Sequence, residues 1–367
     1  MPPIELWTPE ELYLLRRDER MDPIPSYILD TYFPTSFYSE EGEIRFADLP
    51  EANRFMAPFV LPYEQGRPMW DRQPESVKAI RPPYMKPKNA VRPEDAKNIR
   101  PSEIYRNRGG RFSLQDRFNA RVVELTEMHI RAIRMREVWM ACRAFFDGKV
   151  QIDYERDQGA ANPSVLLDFG RDAGHTVIKT GDYWDDPNAP ILDDAEGWMK
   201  TMYLANGGGS AAVMLVGAQV ASTFRKNNQV KDMLDTRYYG APEDVQIKRG
   251  IMRTERPLSY IGKLDSGLEV WSYKDTIDIP SGVGMGKTKV DLFNEKDICL
   301  IAPGATGVRA HGPIYDTEAI DAGLQNSEIF GKMWDTKDPG ERFVMHQSSK
   351  LPIMTNPNRT FRARVLA

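Results

Sequence analysis

Hydrophobic positions recur along this chain with two different periods, separated by stretches that have none. From Leu114 onward apolar residues fall at Phe118, Val122, Leu125, Met128, Ala132, Met135, Trp139, Cys142 and Phe146. Steps of three and four put these side chains on one face of a helix. Ser113 with Asp116 three residues on reads as its cap, and Asp147-Gly148 as its stop. At 1.5 Å per residue such a helix is ~50 Å long, far beyond the ~12-residue average, and has to span one side of a domain or cross a whole layer. Its mixed surface charge reads as scaffolding more readily than as a coiled-coil seam. Upstream, Thr8-Pro9-Glu10-Glu11 has the form of a capping box with proline at the first helical position, predicting a short helix over residues 8–17.

Beyond Gly148 the period drops to two. Residues 149–154 and 164–169 read as strands. A helix is predicted over 193–205, stopped by Asn206 and three glycines; 211–216 reads as a buried strand, and 219–226 and 229–237 as two helices. Residues 260–264 and 268–273, around Asp265-Ser266-Gly267, carry a hairpin signal. Residues 298–302 form another buried strand. The tail alternates again at 343–347 and 360–367, where Phe361, Ala363 and Val365 oppose Arg362 and Arg364. Helices and strands mix without a repeating βα unit, so the fold class is α+β.

The early part of the chain follows neither period. Residues 21–38 interleave Pro23, Pro25 and Pro34 with Tyr27, Tyr32, Phe33, Phe37 and Tyr38. They are expected to hold no single regular element and to lie along another surface, a neighbour's or their own domain's. Nine of the 27 prolines fall between Pro58 and Pro101, and over residues 56–111 basic residues outnumber acidic ones by 12 to 6. Proline has no N–H for a sheet ladder, so the strands expected at 54–61 and 77–86, around a tip at 63–74, are edges or an isolated ribbon. A lone two-stranded ribbon is marginal in water and needs a partner surface. In a chain of formal charge −4 this +6 segment is matched by −10 elsewhere, so docking onto an identical neighbour is the simplest inference. A DNA-facing loop and a solvated linker stay open as alternatives.

Composition narrows the class further. Across 367 residues, 49 basic side chains against 53 acidic ones disfavour a strongly basic nucleic-acid binder. Cys142 and Cys299 lie far apart in apolar contexts, which excludes a disulfide framework and suits a reducing cytoplasm. The longest apolar run, residues 211–221, is about half the ~20 residues a membrane span needs, and the first residues have no leader-like apolar run. No membrane role is expected.

The candidate chemistry is thin. Ser281-Gly282-Val283-Gly284-Met285-Gly286-Lys287-Thr288 ends like a phosphate-binding loop, but such a loop needs glycine where Ser281 stands, a buried strand before it and a helix after it. Here Pro280 precedes it and residues 289–292 alternate like a strand, so a glycine loop between strands is expected. His129, His175, His311 and His346 show no zinc-site spacing and read as structural or surface residues. Asp182, Asp185, Asp186, Asp193, Asp194 and Glu196 lack the alternating ligands and glycine of a calcium loop. No catalytic residue, metal ligand or cofactor is nominated.

Several segments, taken in order, resemble the major capsid proteins of tailed bacteriophages, specifically the lambda-type major capsid protein E family. Residues 82–93, Pro-Pro-Tyr-Met-Lys-Pro-Lys-Asn-Ala-Val-Arg-Pro, resemble the family's Tyr-x-Lys-Pro-Lys segment. Residues 231–237, Lys-Asp-Met-Leu-Asp-Thr-Arg, resemble its Leu-Asp-Thr-Arg helix end. Residues 341–348 and the terminal Arg364-Val365-Leu366-Ala367 resemble its C-terminal strands. The resemblance runs from about residue 27 to the end; the helix at 8–17 and the loop at 282–288 depart from it.

The resemblance implies an HK97-like fold: an N-terminal arm and lead-in (1–54), an extended E-loop (55–100), a P domain with the long spine helix (101–190), an A domain (191–310) and the P domain's C-terminal strands (311–367). It implies a coat protein that self-assembles as pentamers and hexamers into an icosahedral phage head around packaged double-stranded DNA, located in the virion and, during assembly, in the host cytoplasm. A scaffolding protein and a portal are partners by family, and a decoration protein stays open. Arg67, Trp70 and Arg72 at the loop tip, with Lys86 and Lys88 on its return strand, are the expected contacts to a neighbouring subunit. The alternative is a DNA-binding or other virion structural protein, which would show salt-dependent DNA affinity through residues 67–111.

Overall fold

The structure, a computed structural model, describes residues 6–16, 26–39, 42, 44–46, 78–92, 114–154, 164–231, 257–264, 266–281, 286–337 and 340–367. In chain order these hold α1 (Pro9–Arg16), α2 (Tyr27–Tyr32), β1 (Thr35–Tyr38), β2 (Ile44–Phe46), β3 (Lys78–Ile80), β4 (Tyr84–Met85), β5 (Lys88–Val91), α3 (Leu114–Asp147), β6 (Lys149–Asp153), β7 (Ser164–Asp168) and β8 (Thr176–Ile178). They continue with α4 (Ile191–Leu204), β9 (Val213–Val216), α5 (Ala218–Phe224), β10 (Leu258–Lys263), β11 (Glu269–Tyr273), β12 (Thr276–Ser281), β13 (Gly286–Asp291) and β14 (Asp297–Ile301). The last are β15 (Gly307–His311), α6 (Thr317–Asp321), β16 (Phe330–Asp335), β17 (Arg342–Met354) and β18 (Thr360–Arg364). The chain folds as two compact units, residues 1–44, 81–141 and 309–352, and residues 45–80, 142–308 and 353–367.

The first unit is built on β17. Along one edge it pairs with β16, Phe330 opposite Gln347 through Asp335 opposite Arg342; along the other it takes β5, with Arg342 opposite Val91, and then β4, with Ser349 opposite Tyr84. β15 also pairs directly with β17, and β1 lies outside β15. Pro82 and Pro83 break the expected strand at 77–86 into the short pieces β3 and β4, as residues without an N–H require, and Pro87 stands between β4 and β5. Its expected partner at 54–61 and the tip lie outside the described residues. Leu12, Val91, Phe118, Val122, Leu125, Met333 and Val344 form this unit's core. Leu12 is delivered by the short α1, whose capping box forms: the Glu11 carboxylate accepts from the Thr8 N–H at 2.8 Å, and Thr8 Oγ1 accepts from the Glu11 N–H at 3.3 Å.

Two sequence expectations are corrected here. The apolar stripe on α3 is interrupted rather than continuous: Phe118, Val122 and Leu125 are buried, and so are Cys142 and Phe146, with Met135 and Trp139 half-buried between them. Met128 is 46% exposed and Ala132 exposed, while His129, Ile133 and Glu137 are buried in their place. Steps of four from Leu125 advance about 40° beyond a full turn each time, so the buried face runs obliquely round the helix and goes on through polar residues that an apolar count skips. Likewise β17 runs on past Gln347 through Ser348, Ser349 and Lys350 to Met354. Two of these polar residues are buried with a partner: Ser348 Oγ donates to the Glu328 carbonyl at 2.6 Å, and Lys350 meets Glu137. In the early segment, residues 26–39 hold two short elements, capped by Ser26, and they pack within their own unit: Ile28, Leu29 and Phe33 are fully buried.

The second unit carries a six-stranded sheet in the order β10-β11-β9-β14-β18-β8. β11–β9 and β18–β8 are parallel and the other pairs antiparallel. All five residues of β14 are buried, as befits a central strand covered on both faces. β18 alternates as expected, Phe361 and Ala363 inward among Met202, Met214, Val216, Leu300 and Trp184. The β10–β11 hairpin turns at Gly267, whose φ of +82° is open to glycine at no steric cost. β6 and β7 pair as an isolated ribbon, as do β12 and β13.

Candidate inter-subunit contact site

Of the five residues nominated from the sequence, Arg67, Trp70 and Arg72 lie outside the described residues. Lys86 and Lys88 are described and exposed. Lys86 Nζ stands 4.8 Å from the centroid of Tyr84, two residues back on β4. Lys88, at the start of β5, lies 4.0 Å from the Phe343 ring centroid and 5.1 Å from that of Trp334. Those two rings stack across the β16–β17 pair at 5.6 Å, and Lys332 lies 5.7 Å from Trp334. An ammonium held over aromatic faces keeps its charge in water while its stem covers apolar surface. This places a basic and aromatic patch on the pairing edge of β17.

Tyr84 anchors the strand beneath this patch. Its hydroxyl donates to Gln347 Oε1 at 3.0 Å and accepts from the Tyr315 N–H at 3.0 Å. Burial, which disfavours the phenolate, pushes its pKa to about 12, so it remains a donor at any working pH. Gln347 Nε2 in turn donates to Asp316, which also receives Lys332 Nζ at 2.6 Å and accepts the Glu318 N–H at the start of α6. The return strand is thereby tied to β17, β16 and α6 by side chains as well as by its short ladder.

Three buried polar clusters lie elsewhere, and the sequence reading missed all three. Glu137 on α3, almost wholly buried, accepts from Lys350 Nζ at 3.2 Å and has Arg134 at 3.5 Å; Arg134 also binds Asp30 at 2.6 Å, which Arg309 reaches at 3.0 Å. Asp297, fully buried at the start of β14, receives Arg362 and Arg364 from β18. His129 Nδ1 lies 2.9 Å from His346 Nδ1, and His129 Nε2 lies 2.8 Å from Asn89 Oδ1 on β5. The signal that could have found Glu137 and His129 was positional: each stands four residues, about one turn, from a buried apolar residue on either side, His129 from Leu125 and Ile133 and Glu137 from Ile133 and Ala141.

These clusters join elements; none forms a reactive constellation. Burial drives the Cys142 and Cys299 thiols up to about 12, far from thiolate reactivity. The four histidines are all buried, so the structural half of that expectation holds and the surface half does not. Among the described residues no group of three or more His, Cys, Asp or Glu side chains could hold a metal ion, and no helix is long and apolar enough to cross a membrane. The glycine segment joins β12 to β13, with Lys287 opposite Pro280 in the ladder. A strand follows where a phosphate loop requires a helix N-terminus. In the acidic stretch Asp182, Asp185, Asp186, Asp193 and Glu196 are exposed, while Asp194 accepts from Trp184 Nε1 at 2.9 Å and from Lys179.

The family model described as phage major capsid protein E matches residues 13–365. The major capsid protein of Escherichia phage N15 is 26% identical over 357 residues, covering 94% of this chain and 95% of its own. That of Escherichia phage lambda is 26% identical over 360 residues with the same coverage. A crystal structure described as that of a prophage capsid protein of E. coli CFT073 superposes with a TM-score of 0.67 at 19% identity, covering 99% of this chain and all of the other.

Proposed function

This chain belongs to the phage major capsid protein E family, and from that premise we propose that its copies form pentamers and hexamers, closing into the icosahedral head of a tailed phage around double-stranded DNA. Membership makes it a structural coat protein of the virion with an α+β, HK97-like fold, and not an enzyme. Beyond that, we read residues 1–54 as the arm, 55–100 as the E-loop, 101–190 and 311–367 as the P domain and 191–310 as the A domain. The compact units cut the chain differently, since β18 lies in the second unit's sheet between β14 and β8. Assembly would run in the host cytoplasm with a scaffolding protein and a portal.

The observation that carries the contact proposal is the strand at 84–91: short, broken by proline, exposing Lys86 and Lys88 on an aromatic bed, and continuous with a basic segment. Extended segments that are marginal alone are stabilised by lying on a neighbour, and closed symmetry gives every copy such a neighbour. Arg67, Trp70, Arg72, Lys86 and Lys88 are the residues proposed to touch that neighbour. Replacing Trp70 and Arg72 with alanine, and separately Lys86 and Lys88, should lower the yield of shells while the unassembled chain keeps its circular dichroism. Particles at normal yield from both variants would overturn the assignment.

A further inference from the structure

The imidazoles of His129 and His346 form a pair whose protons the geometry assigns. Asn89 Oδ1 can only accept, so His129 Nε2 carries a proton and donates to it at 2.8 Å. A neutral His129 therefore offers a lone pair at Nδ1, and His346 Nδ1–H donates to it at 2.9 Å. That leaves His346 Nε2 as a bare lone pair, buried and without a partner. It faces the backbone of Gly331 on β16 and the side chain of Leu12: a Cβ added to Gly331 would stand 3.0 Å from Nε2 and 3.2 Å from Leu12 Cβ.

A second proton has nowhere favourable to go. On His346 Nε2 it would create a buried N–H with no acceptor; on His129 Nδ1 it would set two donors face to face. The charged groups of the surrounding elements are engaged elsewhere. On β5, Lys88 lies over Phe343. On β16, Lys332 binds Asp316 and Asp335 binds Arg342, while Glu341 binds Arg92. On α1, Glu11 is exposed and caps the helix. On α3 the residues one turn away, Leu125, Thr126, Ala132 and Ile133, are uncharged. Among the described residues no carboxylate faces either ring to stabilise an imidazolium.

We propose that Asn89, His129 and His346 form an acid-sensitive clasp that holds the return strand β5 to the long helix and to β17 while both rings are neutral, and lets it go on protonation. Burial supports this by holding the His129 pKa down to about 4 and that of His346 to about 3. Because the closed-state values lie below those of exposed imidazoles, the open state binds more protons at acid pH. The clasp is fully closed above about pH 6.5 and weakens as pH falls below it. β5 continues the strand that carries Lys86, so acid would free the segment proposed to reach a neighbour. The clasp itself stands whether or not that contact proposal holds.

The test is hydrogen exchange by mass spectrometry on the full chain, read at the β5 amides after correction for intrinsic rates. Between pH 7 and pH 5 the opening equilibrium should rise on the order of tenfold or more, since one ring released to an ordinary pKa contributes about thirtyfold at pH 5. Amides of β14 should show no such change. In the double variant His129→Leu and His346→Leu the dependence at β5 should vanish; its persistence would overturn the proposal. Exchange of the histidine ring C2 hydrogens titrates each imidazole in the unmutated chain and needs no variant. Midpoints for His129 and His346 below 5 are expected, and midpoints near 6.5 for both would overturn the proposal.

Discussion

Replacing Lys350 with methionine should destabilise the first unit far more than a lysine on a strand ordinarily would. The Glu137 carboxylate beside it is 1% exposed, with Lys350 Nζ at 3.2 Å and Arg134 at 3.5 Å. At an effective dielectric near 20, a unit charge at that separation contributes about 5 kcal/mol of attraction, set against a desolvation cost of similar size. The intact pair is therefore near neutral in net stability. Removing one member is not: it strands a buried carboxylate, which costs about 3–5 kcal/mol. Arg134 stays behind but is shared with Asp30, which places the loss near the lower bound. Methionine keeps the aliphatic stem, so packing changes little. For a unit of this size, 3 kcal/mol lowers the melting midpoint by roughly 6–12 °C. Glu137→Leu combined with Lys350→Met removes both charges and should recover at least half of that loss. Scanning calorimetry of the unassembled chain at neutral pH reads both. Lys350→Met within about 1 kcal/mol of the parent, or a double variant as unstable as the single one, would refute the reasoning. Its cations hold Glu137 below the usual carboxylate range despite burial. The stabilisation is thus present above about pH 4.3 and lost as pH falls through the lower folded value, so the penalty of the single variant should shrink there.

Gly331→Ala forces a methyl to within 3.0 Å of His346 Nε2; a loss of about 1–3 kcal/mol is expected in urea unfolding, and an unchanged midpoint would mean the ring has room. Phe361→Ala opens a cavity in the second unit's core, where that ring stacks with Trp198 at 5.7 Å; about 3–5 kcal/mol should be lost, read by denaturant titration. Lys287→Ala should change neither stability nor any nucleotide response, because calorimetric titration of ATP into the parent chain should already show no binding at the β12–β13 connection. Thr8→Ala removes an N-cap oxygen and should cost α1 about 1 kcal/mol, seen as faster amide exchange over residues 10–12 alone.

The elements legible in the sequence are those whose pattern is local. The 34-residue helix announced itself by its spacing, α1 by its capping box, the β10–β11 hairpin by Gly267, and β18 by strict alternation. The glycine segment was readable as a strand connection because Pro280 and the alternation of residues 289–292 contradict a phosphate loop. What stayed hidden depends on partners distant in sequence. His129 looks like a surface residue until His346 is brought up from 217 positions away, and Glu137 until Lys350 arrives from 213. Ser348 and Lys350 read as the end of a strand, whereas the neighbours that satisfy them let β17 run on. Lys86 and Lys88 were legible as exposed charges on an edge, but the aromatic bed of Tyr84, Phe343 and Trp334 beneath them is assembled from three strands. Conversely, the exposure of Met128, 46% against 1% for His129 beside it, was invisible to a count of apolar positions, because the face that is buried is set by the elements packed against the helix.

The central claim, that many copies of this chain build a closed shell, is tested most directly by light scattering coupled to size-exclusion chromatography, with electron micrographs of the excluded fraction. Shells, tubes or capsomer-sized rings are the predicted result. A compact monomer that persists at high concentration, even with a scaffolding protein supplied, would contradict it.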